Sequence, residues 1–186
     1  RYGVEMLQRI MIDERSYFQN ITVWENFSDN NSVNALDQSS NTNSIKNLQQ
    51  RSLSFRLHID KKDDPLFPKT GYLLDLYFKS TGYFLGGARD YYKFDISFNK
   101  YLRISKKSVL ATRFKIGRFW FWESSYIDYS YEKFYLGGSS NMRGWEILKY
   151  RTTNHQTNIP EGGTHRLLIN SEFRHQFNQN LGLTLF

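Results

Sequence analysis

The sequence contains no cysteine and only 3 proline residues among its 186. Without cysteine the chain forms neither disulfide bonds nor a cysteine-based metal site. Few prolines suit long regular strands, because proline interrupts the hydrogen bonding between strands. No stretch approaches the roughly 18 consecutive apolar residues that a transmembrane helix requires. A helical membrane protein is therefore excluded, whereas a membrane β-barrel is not, because only alternate residues of its strands face lipid.

Positive charge is in excess but scattered. The chain has 25 lysine and arginine residues against 18 aspartate and glutamate residues, which gives a net charge of +7. Such a surplus is one property of nucleic-acid-binding proteins. Here the basic residues are spread along strands and turns, and no RNA-binding signature is present. We therefore expect no nucleic-acid partner.

Apolar and polar residues alternate along much of the chain, and this period of two predicts β-strands. The segment 72–79 is a clear example, with Tyr72, Leu74 and Leu76 on one face and Asp75 and Lys79 on the other. Eight such segments are predicted, at about residues 2–13, 17–25, 52–60, 72–79, 91–101, 108–117, 166–176 and from 180 onward. The longest match the length of about ten residues that a tilted strand needs to cross a bilayer.

The predicted connections alternate in length. Those near 14–16, 61–71, 102–107 and 177–179 are short, those at 26–50 and 118–165 are long, and the one at 80–90 is intermediate. Short turns on one side and long loops on the other are typical of an outer-membrane barrel. A soluble barrel or sandwich shows the same alternation, so periodicity alone leaves both open. Aromatic residues near strand ends are predicted to form interfacial girdles: Trp24, Tyr91, Tyr92, Tyr101, Trp120 and Trp122.

Two motifs stand out from this pattern. The first lies within 134–146 and comprises Gly137, Gly138, Met142, Arg143, Gly144 and Trp145. Its glycines allow backbone angles and close approaches that a side chain would block, and its arginine is able to bind a carboxylate through paired hydrogen bonds. The second is a rigid turn that contains Asp64, Pro65, Pro68 and Gly71. Proline fixes the backbone of such a turn and glycine accommodates its unusual angles.

The order of these motifs resembles that of the Omp85 superfamily of outer-membrane barrels, the family of the assembly factors BamA and TamA. An Asp-x-Pro-x-x-Pro-x-x-Gly turn is followed by Tyr91-Tyr92-Lys93, the Arg-Gly-aromatic loop, and Gly162-Gly163. The resemblance covers roughly residues 50–186, and residues 1–49 fit by strand pattern only. Trp145 replaces the commoner phenylalanine and Met142 the frequent valine, which leaves the subfamily open.

The resemblance implies an all-β fold, an antiparallel transmembrane β-barrel of the sixteen-stranded Omp85 type, with about eight strands present. Residues 1–186 then form part of one barrel domain, with POTRA domains and terminal strands outside the sequence. Arg1 in place of an initiator methionine, and an end inside an apolar run at Phe186, indicate a fragment. The resemblance also implies that Arg143 crosses the lumen to Glu172, and that a second acidic partner lies on the following strand, outside the sequence.

The implied function is a factor that folds and inserts, or translocates, β-barrel proteins at the Gram-negative outer membrane. An organelle outer membrane is a secondary possibility. The expected partners are outer-membrane lipid, unfolded β-barrel or secreted proteins, and periplasmic accessory subunits. We expect no cofactor, no metal and no enzymatic activity. A two-partner secretion transporter and a passive outer-membrane pore are the alternatives.

Catalytic and headgroup-binding residues have weaker sequence support. No metal-binding spacing or triad links the four histidines, which are His58, His155, His165 and His175. The lysines of the short turns, Lys61, Lys62, Lys106 and Lys107, are placed to meet phospholipid headgroups or a periplasmic partner, although a solvated turn is the simpler interpretation.

Overall fold

The computed structural model describes residues 2–29, 46–122, 129–139, 141–148, 160, 162–178 and 181–186. Its eight strands are β1 (Tyr2–Met11), β2 (Tyr17–Asp29), β3 (Lys46–Asp60), β4 (Gly71–Thr81), β5 (Tyr91–Arg103), β6 (Ser108–Phe121), β7 (His165–Gln176) and β8 (Gly182–Leu185). They form one antiparallel sheet in chain order, with two short 3-10 helices at Tyr83–Leu85 and Ser130–Glu132. In the part of the chain so described, no helix has the length and hydrophobicity that crossing a membrane requires. The predicted all-β meander is confirmed.

One face of the sheet, called the outer face here, is apolar across its width. The register aligns a row of residues over six strands: Phe18, Leu57, Leu76, Ile96, Ile116 and Leu167. A second row consists of Ile59, Leu74, Phe98, Phe114 and Ile169. Leu167 and Ile169 are 63% and 69% exposed. An apolar surface this continuous requires another apolar phase, as the lipid-facing wall of a membrane barrel does.

The opposite face, called the inner face, carries charged residues that form ion pairs between strands. Arg166 Nη2 of β7 lies 2.5 Å from Asp95 Oδ1 of β5. Arg56 Nε and His58 Nδ1 of β3 lie 3.2 Å and 3.0 Å from the carboxylate oxygens of Asp75 in β4. One apolar face and one polar face are what the wall of a transmembrane barrel requires, with its apolar side toward lipid.

The strands extend further than alternation indicates, which corrects the predicted loop bounds. β2 reaches Asp29 and β3 begins at Lys46, so both ends of the predicted loop 26–50 belong to strands. Likewise β6 reaches Phe121, inside the predicted loop 118–165. Alternation misses these ends because backbone groups make the pairing, as between Asn26 and Gln49, whatever the side chains. Residues 30–45, 123–128 and 149–159, with His155 among them, lie outside the described residues.

The tryptophans of the predicted aromatic girdle are exposed near strand ends, whereas two of its tyrosines lie on the inner face. Trp24, Trp120 and Trp122 are 53%, 38% and 58% exposed. Tyr91 is fully buried and belongs to the inner-face cluster, and Tyr101 lies beneath the guanidinium of Arg174 on that same face. Strand parity explains the difference, because odd-numbered residues of β5 point inward.

Outer-face residues should tolerate charge less well than their inner-face neighbours. Ile96→Lys, in the middle of the longest apolar row, is expected to destabilise the folded protein in lipid by about 2–4 kcal/mol. Ser97→Lys is the matched control, because Ser97 lies on the inner face between Asp75 and Lys115 and the change should cost only about 0.5 kcal/mol. Urea unfolding in lipid vesicles measures both, and equal costs would contradict the assignment of the faces.

Candidate functional site

The turn between β3 and β4 is organised by two aspartates. Asp63 Oδ1 accepts hydrogen bonds from the backbone N–H groups of Asp64, Lys69 and Thr70 at 3.0, 2.9 and 3.1 Å. Asp64 Oδ1 accepts those of Leu66 and Phe67 at 2.7 and 2.8 Å. The hydrogen bonds to the charged form lower the pKa of Asp63 to about 2. The carboxylate therefore stays ionised at neutral pH and holds the turn closed.

The proline and glycine positions of this motif complete the same turn. Pro65 and Pro68 restrict the backbone between the two aspartates and the start of β4. Gly71, the first residue of β4, has φ 102°, and a Cβ there would overlap the carbonyl of Lys61. The motif thus brings two strands together in a fixed geometry, and its geometry is that of a structural turn.

The loop between β6 and β7 lies against the inner face. Its described part, residues 129–139 and 141–148, is called the inner loop here. Phe134 at its base forms two backbone hydrogen bonds with Gly163, at 2.8 and 2.7 Å. Further along, Asn141 Oδ1 accepts a hydrogen bond from Lys115 Nζ at 3.4 Å, and its carbonyl accepts one from Asn170 Nδ2 at 3.2 Å. The inner loop therefore contacts both β6 and β7.

Glycines allow the inner loop to double back on itself. Gly137 has φ 126°, and a Cβ at this position would overlap the carbonyl oxygen of Glu146 on the returning limb. Gly138 N–H donates to the carbonyl of Trp145 at 3.0 Å across the same turn. At Gly144, with φ 85°, no atom lies within 4 Å of an added Cβ, so the backbone angle alone favours glycine. The two limbs are therefore in direct contact, with the arginine at the tip.

The tip places Arg143 against the inner face of β7. Arg143 Nη2 lies 2.8 Å from Glu172 Oε1, and the two side chains are 40% and 18% exposed. Arg174 Nη2 of the same strand lies 2.9 Å from the other oxygen of Glu172. The guanidinium of Arg143 also lies 4.5 Å from the centre of the Phe186 ring. Glu172 thus holds two guanidinium groups at once.

The apolar residues that flank the arginine differ in their surroundings. Met142 lines a cavity of about 220 Å³ between the tip and β7, together with Arg113, Asn170 and Phe186. Trp145 is 50% exposed. The structure therefore brings together all six residues of the predicted loop motif and Glu172, while the turn motif lies in the separate β3–β4 connection.

The sequence profile of the Omp85 superfamily domain matches residues 2–186. The chain belongs to the Omp85 superfamily. Its fold is similar to the crystal structure of BamA from Haemophilus ducreyi lacking POTRA domains 1–3, with a TM-score of 0.65 and 16% sequence identity over 93% of this chain. At that identity the similarity shows the fold alone, an antiparallel sheet that matches part of a β-barrel. The chain spans 36% of the length of that BamA chain. No curated protein sequence shows significant similarity to it.

A second contact of the inner loop with the Omp85 barrel wall was missed by sequence reasoning. Glu132, in the 3-10 helix Ser130–Glu132, lies 2.6 Å from Lys79 Nζ and 3.2 Å from Lys93 Nζ. Its carboxylate also accepts a hydrogen bond from the Tyr91 hydroxyl at 2.7 Å. Lys79 and Lys93 stand on the polar face of their strands in the sequence, but only the register shows that they face each other. No pattern singled out Glu132.

The described histidines and most of the turn lysines have ordinary local partners. His175 Nδ1 lies 2.8 Å from Ser108 Oγ, and His165 Nδ1 lies 2.9 Å from the hydroxyl of its neighbour Thr164. Lys61 Nζ is bound by Asp13 at 2.6 Å. Across the described residues, no group of three or more His, Cys, Asp or Glu side chains is placed to hold a metal ion.

Breaking the Arg143 contact should cost less than removing Glu172. Arg143→Ala is expected to lower the free energy of unfolding by about 1 kcal/mol, because the arginine is partly exposed and Glu172 keeps Arg174. Glu172→Gln leaves two guanidiniums without their carboxylate and should cost about 2–3 kcal/mol.

Urea unfolding of the barrel in lipid vesicles measures both changes. Arg174→Ala is the matched control, since it also removes one of the two guanidinium groups that bind the Glu172 carboxylate. A cost for Arg143→Ala equal to or above that of Glu172→Gln would contradict this description of the site.

Proposed function

We propose that this Omp85 domain is part of an assembly factor that folds and inserts, or translocates, β-barrel proteins at the Gram-negative outer membrane. The observation that carries the proposal is the Arg-Gly-Trp tip of the inner loop, seated on the barrel wall by Arg143 and Glu172. Membership of the superfamily and the apolar outer face support a place in the outer membrane.

The inner loop argues for an assembly role over a passive pore. A pore conducts through a water-filled lumen, whereas here a loop segment is fastened across the inner face at Glu132, Phe134 and Arg143. The loop also links strands that are apart in the sheet, because Glu132 binds β4 and β5 while Arg143 binds β7. It therefore braces the wall from inside and keeps its strands in register.

In this role the protein works without covalent chemistry, nucleotide or metal. The free energy for insertion comes from the client protein, whose strands pair their backbone groups and bury apolar side chains in lipid. The factor lowers the barrier by presenting strand edges for pairing and by perturbing the nearby bilayer. Its partners are then unfolded β-barrel or secreted proteins, outer-membrane lipid and periplasmic accessory subunits.

The experiment that tests the proposal is insertion of a client barrel. The full-length protein is reconstituted in lipid vesicles, a urea-unfolded outer-membrane barrel protein is added, and its folded, protease-resistant form is measured over time. The wild-type protein should accelerate folding by about tenfold or more over empty vesicles, and Arg143→Ala should remove most of this gain. Arg118→Ala is the control, because Arg118 lies over Trp120 on the outer face.

Two outcomes would contradict the proposal and indicate an alternative. Steady ion conductance through the vesicles without any acceleration of folding would indicate a passive pore. Activity confined to one secreted protein, with no effect on barrel clients, would indicate a two-partner secretion transporter.

A further inference from the structure

Two lysines face each other on the inner face of the sheet. Lys79 of β4 and Lys93 of β5 are direct partners in the register. Directly opposed residues of antiparallel strands have Cβ atoms about 5 Å apart, and like charges in such a position repel each other. With the inner loop in place their side chains are only 16% and 17% exposed, so water screens this repulsion poorly in the folded protein. The pair of lysines therefore requires a negative charge at this point.

The inner loop supplies that charge through Glu132. Each carboxylate oxygen binds one lysine, at 2.6 and 3.2 Å, and the buried hydroxyl of Tyr91 donates to the first oxygen at 2.7 Å. Burial by itself raises the pKa of Glu132, but the charges and hydrogen bonds of its partners lower it by more, so its pKa lies below the usual value. The carboxylate is thus ionised, almost fully buried and bound on both oxygens.

Phe134, two residues further on, fixes the same part of the loop by shape. Its ring lies on Gly117 of β6 so closely that a Cβ there would come within 2.6 Å of the ring. The ring is only 4% exposed, and the charged ends of Lys93 and Arg166 lie 5.1 and 4.8 Å from its centre. The Glu132 carboxylate therefore binds between Lys79 and Lys93, and the Phe134 ring packs on Gly117 beside it.

The Arg143 contact differs from this base in both burial and partners. Arg143 is 40% exposed and shares Glu172 with Arg174. Between the two contacts stand Gly137 and Gly138, both at positive φ, where the chain turns. A buried contact at one end and an open, shared contact at the other divide the inner loop into a fixed base and a releasable tip.

We propose that Glu132 is the positioning residue of the inner loop, which docks between Lys79 and Lys93 and so determines where Arg143 meets Glu172. The proposal rests on the proposed function only in treating the tip as the working part of the loop. Its test is a labelling rate, so its failure is distinguishable from a failure of the assembly activity.

The test measures how accessible the tip is in the full-length protein folded in lipid vesicles. Residues 1–186 contain no cysteine, so Met142→Cys introduces a thiol that is unique among them. Glu132→Gln keeps the shape of the side chain but leaves both lysines without a counter-charge. We expect it to raise the rate of maleimide labelling at position 142 by about tenfold, through more frequent opening of the loop. Glu5→Gln on β1 is the matched control and should leave the rate unchanged.

Rescue separates positioning from general destabilisation. Exchange of the charges, Glu132→Lys with Lys79→Glu, restores one acid beside two amines and should return the rate to within about threefold of the original. A second reporter, Ser97→Cys on the inner face of β5, should label at the same rate with and without Glu132→Gln. An unchanged rate at position 142, no rescue, or an equal rise at both reporters would each overturn the proposal.

A neutral variant keeps the proposal testable if Glu132→Gln prevents folding. Gly117→Ala introduces a methyl group under the Phe134 ring and changes no charge. It should also expose position 142, and Phe134→Leu in the same protein should reduce that effect by making room for the methyl group. If folded Gly117→Ala leaves labelling at position 142 unchanged, the base does not position the tip.

Discussion

The need to balance charge on the inner face governs this structure. The outer face carries apolar rows across six strands, and the ion pairs between strands lie on the other side. Where strands bring opposite charges together they bind directly, as Asp95 and Arg166 do. Where they bring like charges together, as with Lys79 and Lys93, the counter-charge comes from the inner loop. The lysines of the wall therefore depend on the loop for their counter-charge, and the charged residues of the loop depend on the wall for theirs.

The same constraint explains why the loop is held at two places with different properties. At its base the carboxylate belongs to the loop and the cations to the wall, whereas at the tip the cation belongs to the loop and the carboxylate to the wall. The base is buried and has three partners for Glu132. The tip is partly exposed and shares Glu172 with Arg174. The tip is therefore less firmly held on the inner face than the base.

Much of the fold was predictable because successive residues of a strand face opposite sides of the sheet, which gives the sequence an alternation of polar and apolar residues. All eight strands occur where alternation indicates, and the pair of Arg143 and Glu172 follows from the resemblance of the loop to that of the Omp85 superfamily. The extra length of β2 and β3 was not predictable, because polar residues continue the backbone pairing there. Glu132 was missed for a different reason. Its role depends on two lysines 14 residues apart that become neighbours only through the register of β4 and β5.

The most direct test is a cryo-electron microscopy structure of the full-length protein in lipid nanodiscs. The account predicts the Glu132 carboxylate between Lys79 and Lys93, and the Arg143 guanidinium within hydrogen-bonding distance of Glu172, on the water-filled side of a wall whose Ile96 row faces lipid. A structure with residues 129–148 outside the barrel, or with the Ile96 row packed into a protein core, would contradict it.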